Sequence, residues 1–110
     1  MSELNQTLGQ LVPAATTLTD IYTVPASKNV VVSSVIVCNR GNTTTTFRIS
    51  VAPSGAADSN EQYYYYDVPI SKNNTFVATI GVGMLETDVL RVYAGNADLS
   101  FNATGVEVDV

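Results

Sequence analysis

The chain has 110 residues, with five Lys and Arg against ten Asp and Glu, no histidine and one cysteine. That length fits one domain with a core that needs no covalent staples. The net charge of −5, with Lys28, Arg40, Arg48, Lys72 and Arg91 scattered singly, argues against nucleic-acid binding, which needs a basic patch, and against an anionic membrane surface.

The hydrophobic pattern has a period of two almost throughout, which predicts strands. "TLGQLV" is a short first run, closed by Pro13, and "LTDIYTV" is a second, closed by Pro25. The turn "PASKN" leads to the longest run, "VVVSSVIVCN", residues 30–39. After "RGNTT" comes "TTFRISV", in which Phe47, Ile49 and Val51 face one way and Thr46, Arg48 and Ser50 the other. "APSGAADSN" is loop-like, and "YYYYDVPI" follows as a strand that ends near Pro69. "SKNN" is a turn, "TFVATI" a strand and "GVGMLETD" a connector to "VLRVYA". "GNAD" turns the chain into "LSFNATGVEVDV", where Gly105 reads as a bulge or kink. No helix is convincing.

Eight strands separated by turns predict an all-β fold, an eight-stranded antiparallel β-sandwich of jelly-roll type. Residues 1–14 read as an N-terminal arm or first strand, and 15–110 as a single β-sandwich domain. Charged residues make up only 14% of the chain, against roughly 25% in an average domain. The polar surface is therefore built from Thr, Ser, Asn and Gln, which a partner can cover at modest desolvation cost. Cys38 can form no internal disulfide and reads as a small hydrophobe in a strand. "MSELNQTLGQ" lacks a secretion pattern, and no apolar run approaches the roughly 20 residues of a bilayer span. The expectation is a soluble protein made in a reducing cytoplasm.

Several strands are apolar on both faces. In residues 30–39, Val30, Val32, Ile36 and Cys38 oppose Val31, Val35 and Val37. In the tyrosine strand, parity counted back from Val68 sends Tyr66 and Tyr64 to the core and leaves Tyr63 and Tyr65 outside, between Glu61 and Asp67. Two uncovered rings of about 150 Å² each invite a subunit contact, and a sugar platform is the alternative. Tyr63 and Tyr65, with Leu4, Leu8 and Leu11 of the arm, are the candidate interface residues.

The residues for common catalysis are missing. Without histidine there is no Ser-His-Asp or Cys-His arrangement and no zinc set. "GVG" lacks the lysine and helix of a phosphate loop. Asp58, Glu61 and Asp67 carry no glycosidase spacing, and "DSNE" and "GNAD" read as turns before they read as calcium loops. No enzyme, no catalytic residue, no metal and no cofactor is expected.

"LGQLVPAATTLTDIYTVPASKNVVVSSVIVCNRG", with "FRISVAP", "YYYYDVPI", "TFVATIGVGM", "DVLRVYAG" and "LSFNATGVEV", resembles small β-sandwich virion structural proteins of tailed bacteriophages, including cyanophages. These motifs are strand ends and turns, so they speak to fold more than to role. The resemblance implies a non-enzymatic virion component, commonly a homotrimer. One form is a capsid cement, or decoration, protein on the outer head surface, bound to the major capsid protein. The other is a tail-fibre or tail-tip module that binds a receptor or carbohydrate. Either would be synthesised in the host cytoplasm.

Overall fold

A computed structural model describes residues 4–110. The first three residues of the predicted arm lie outside the described residues. Eight strands follow in order: β1 (Asn5–Leu11), β2 (Thr19–Thr23), β3 (Lys28–Asn39), β4 (Thr45–Ala52), β5 (Tyr63–Ile70), β6 (Thr75–Met84), β7 (Val89–Ala94) and β8 (Leu99–Asp109). Short 3₁₀ turns at Pro53–Gly55 and Asn60–Gln62 interrupt the long β4–β5 connection. The strands form two antiparallel four-stranded sheets, A in the order β1-β8-β3-β6 and B in the order β2-β7-β4-β5. Strand 1 pairs with 8, 2 with 7, 3 with 6 and 4 with 5, as in a long antiparallel ribbon wrapped into two sheets. This is the jelly-roll order, and the all-β sandwich is the fold class that the alternation predicted.

The core lies between the sheets. Val30, Val32, Val35, Val37, Phe101 and Ala103 from sheet A meet Phe47, Ile49, Leu90, Val92 and Ala94 from sheet B. Phe47 joins the layers most directly, its ring 5.3 Å from Phe76 of β6 and 6.2 Å from Tyr65 of β5. β1 is an edge strand of sheet A rather than a detached arm. Its Leu8 and Leu11 pack against the core, and Leu4, just before it, is exposed.

β-Bulges explain much of the apparent double burial. Along β3 the inward set is Val30 and Val32, then Val35 and Val37, because Ser33 is an extra residue opposite the step from Gly105 to Thr104. A bulge moves the inward side chains to the other parity. Apolar residues at both parities therefore serve one core. The kink expected at Gly105 falls on its neighbours: β8 runs straight, and the bulges are Ser33 of β3 and Leu8 of β1. Gly105 fits against this double bulge because it lacks a side chain. A Cβ there would stand 2.2 Å from the Val31 carbonyl oxygen and 2.9 Å from the Leu8 side chain. Gly105→Ala is expected to cost about 2 kcal/mol or more, since backbone must move to admit the methyl. Urea unfolding checks this, and a loss below about 0.5 kcal/mol would contradict it.

The tyrosine parity is also reversed. β5 bulges across Tyr66 and Asp67, and Asp67 has a φ of 52°. Phe47 pairs with Val68, but Ile49 pairs with Tyr65. Tyr65 therefore turns inward and packs against the core with Val68. Tyr64 and Tyr66, assigned to the core from the sequence, are exposed at 51% and 57%. Tyr63 is half-buried. The "GVGM" segment, read as a connector, continues β6 to Met84, with Ile80 and Gly81 forming its bulge opposite Ser33.

Candidate functional site

With the core accounted for, three features remain that can meet another molecule: the outer face of each sheet and a cavity at one end of the sandwich.

The outer face of sheet B is largely closed by its own chain. Ser50, Ala52 and Val89 point away from the core yet are buried, because the 53–62 segment folds over them. Arg91 anchors that segment, its Nη1 donating to the Ala56 carbonyl at 2.8 Å while its Nε donates to Asp20 at 3.0 Å. Beyond the loop lies an aromatic cluster. The Arg48 guanidinium sits 4.2 Å from the ring centroids of both Tyr66 and Tyr93, and its Nε donates to Asp67 at 2.7 Å. Tyr63 meets Tyr66 edge-on at 5.0 Å, and with Asn60 these two rings line a shallow cleft. Burial first, and then a hydrogen bond to Asp58, push the Tyr63 phenol above its usual pKa. Asp67, which flips the strand parity, also binds the arginine that holds Tyr66 in place. Asp67 thus lies in the bulge that turns Tyr66 outward and also helps to hold that ring through Arg48.

The outer face of sheet A has a different character. Register places Asn5, Thr7 and Gln10 of β1 beside Ser100, Asn102, Thr104, Val106 and Val108 of β8. Next come Asn29, Val31, Ser34, Ile36 and Cys38 of β3, then Thr75, Val77, Thr79 and Gly83 of β6. No Asp, Glu, Lys or Arg of the described residues stands among these outward positions. The Lys28–Asp109 ion pair (2.5 Å) borders one end of the face. The polar groups bond to one another: Gln10 Nε2 donates to Asn102 (2.7 Å), Ser34 and Thr104 share a bond of 3.0 Å, and Ser33 donates to Asn5 (3.3 Å). Between them Val31 and Val77 are exposed at 46% and 54%. Covering such a face strands no charge and breaks few hydrogen bonds to water.

Of the sequence-level candidates, Leu8, Leu11 and Tyr65 serve the core, Tyr63 belongs to the aromatic cluster, and Leu4 is exposed. The structure does not bring them together as one patch. The sheet A face went unread because it is defined by pairing across four strands. Its sequence signal is a set of charge-free stretches, residues 4–19, 29–39, 73–85 and 99–106, one for each strand of the sheet.

At one mouth of the sandwich, Glu107 of β8 accepts a hydrogen bond from the Tyr22 phenol of β2 in the other sheet and another from Gln6 Nε2 of the neighbouring β1. Burial first, then the Glu107 bond, holds the Tyr22 phenol well above its usual pKa of 10.0. The folded protein keeps this proton where the unfolded chain has lost it. The resulting stability is complete below about pH 10 and declines as the pH rises further. In Tyr22→Phe the alkaline decline of the urea midpoint is expected to be shallower than in wild type. An unchanged decline would contradict the linkage.

Among the described residues, no group of three or more His, Cys, Asp or Glu is placed to hold a metal ion, and no helix is long and apolar enough to cross a membrane. Comparison with protein-family models, curated proteins and solved structures finds no match to the chain.

Proposed function

We propose that the protein is a non-enzymatic structural component of a tailed-phage virion, a capsid cement protein that self-associates on the outer head surface and stabilises contacts between major capsid subunits. The observation that carries this reading is the charge-free outer face of sheet A. Four strands about 4.8 Å apart and some nine residues long span on the order of 600 Å². That is most of the roughly 800 Å² per partner in a standard stable interface. A second copy of the same face is the occupant that brings no unpaired charge. A surface of average composition would bury charged side chains against groups unable to pair with them. The phage assignment rests on the motif resemblance described above. In this reading the protein acts by burying surface across subunit junctions, and no bond is made or broken.

The test is the stability of the head. Heads lacking the protein should release their DNA at lower temperature or under milder osmotic shock, and adding back purified protein should restore resistance. Equal stability with and without the protein would refute the cement role.

A second reading is favoured by the Tyr63–Tyr66–Asn60 cleft: a tail-fibre or tail-tip module that stacks a sugar on exposed rings. It predicts saturable binding to host polysaccharide that is lost when Tyr63 and Tyr66 are replaced together by Ala. Absence of such binding by the wild-type protein would dispose of it.

A further inference from the structure

A sandwich of two open sheets has four edge strands, and each edge offers unpaired backbone N–H and C=O groups unless something guards it. Three of the four edges are guarded. β1 lies so close to β2 of the other sheet that a Cβ on Gly9 would stand 2.4 Å from the Ile21 carbonyl oxygen. β2 is five residues long and carries Asp20. β5 carries Asp67 and Pro69 and shifts register against β4 twice. β6 pairs with β3 alone, runs for ten residues and holds neither a charge nor a proline.

The regular part of the β6 edge is its first half. Ile80 and Gly81 bulge opposite Ser33. Beyond them Val82 and Gly83 line the cavity at the end of the sandwich, about 390 Å³, together with Pro53, Ser59 and Tyr64. Before the bulge, Thr75–Thr79 pair with β3 in unbroken register. Thr75, Val77 and Thr79 are exposed on the outer face, while Phe76 packs against the core and Ala78 belongs to it. The outward order Thr-Val-Thr reads the same in both directions. Two such strands set antiparallel and centred on Val77 put Thr75 opposite Thr79 of the second copy and Val77 opposite Val77. On the inner side Phe76 meets Ala78 of the second copy, large against small. Thr–Thr hydrogen bonds and pairs of β-branched side chains are favourable cross-strand neighbours.

We propose that β6 is a self-pairing edge: two copies join antiparallel through Thr75–Thr79 about a two-fold axis at Val77, and their A sheets become one eight-stranded sheet. A second copy is the occupant because the outward side chains of this segment are their own complement. The backbone groups left free on the β6 edge are satisfied by the same groups of the other copy. The axis runs perpendicular to the sheet, so the two charge-free outer faces emerge on the same side and join. The edge is a contact separate from the sheet A face and forms whether or not that face is covered. Lysine at Val77 would set like charges directly opposite each other, so a test of the edge keeps this position uncharged.

Cysteines placed one at a time on the edge of a Cys38→Ser chain test the register, with a short bis-methanethiosulfonate reagent as the linker. Val77→Cys should be captured mostly as a covalent dimer. An equimolar mixture of Thr75→Cys and Thr79→Cys chains should cross-link several-fold more than either chain alone, because like positions lie about 13 Å apart along the paired strands. Amide exchange within residues 75–79 should slow at least tenfold as the protein concentration is raised through the dimerisation range. Val31→Lys disrupts the outer face without touching the edge, so the Val77→Cys link should survive in that background. The proposal is overturned if the mixture links no better than its components, if exchange is independent of concentration, or if Val31→Lys abolishes the link. Failure of the sheet A face as a contact reads differently: Val31→Lys then leaves the sedimented mass unchanged while the cysteine pattern stands.

Discussion

Lysines introduced together at Val31 and Val77 are expected to leave the protein folded but dissociate it into single subunits. Both side chains stand on the outer face of sheet A, half-exposed in the isolated subunit, so the ammonium groups can reach water in the monomer. Against a second copy of the same face they meet Thr, Ser, Asn and Val, and no carboxylate of the described outward residues is there to pair with them. An unpaired charge in a desolvated contact costs about 3 kcal/mol or more. Each substitution should therefore weaken association by on the order of a hundredfold. Sedimentation velocity should show an oligomer for wild type and for a control lysine at Asn42, which lies in an exposed turn away from the face. The double variant should sediment as a monomer that still unfolds cooperatively, with a midpoint that no longer depends on protein concentration. A monomeric wild type, or a double variant of unchanged mass, would remove the sheet A face as the self-association surface.

Phe47→Ala is expected to destabilise the fold more than the other substitutions proposed, by about 3–5 kcal/mol. Phe47 is fully buried and bridges the layers, touching Phe76 on one sheet and Tyr65 on the other. Its removal leaves a cavity between two aromatic rings that cannot collapse without moving a strand. Against a typical stability of about 5–15 kcal/mol, the loss should lower the thermal midpoint by roughly 15 °C or more. It should also loosen Tyr65, which would appear as increased solvent quenching of tyrosine fluorescence. A loss below about 1 kcal/mol would mean that the two sheets do not pack through this residue.

The strand pattern was readable because most strands keep one face polar, and period-two alternation together with Gly, Pro and Asn turns marks their ends. The reading faltered wherever an extra residue changed the phase. The inward set of β3 changes parity at Ser33-Ser34, between two Val-rich halves. That pair of serines was the available signal. Apolar residues at both parities in "VVVSSVIVC" mark a bulge as much as a covered outer face. The tyrosine strand misled in the same way. Asp67 adopts a positive φ, which Asp tolerates better than most residues, and it shifts Tyr65 inward while Tyr64 and Tyr66 turn outward. Counting parity from Val68 across such a residue misplaces Tyr66, Tyr65 and Tyr64, and a second register shift between Tyr65 and Tyr63 returns Tyr63 to the outer face. Burial under the 53–62 segment was not legible either, because nothing local in "APSGAADSN" says which face it will cover. The charge-free sheet A face depends on pairing between strands far apart in the chain.

Counting and locating the protein in purified virions tests the proposed role most directly. Gold-labelled antibody with quantitative mass spectrometry gives position and copy number together. A cement protein predicts label over the whole head and hundreds of copies per particle. Label confined to the tail with a handful of copies, or no protein in the particle at all, would contradict it.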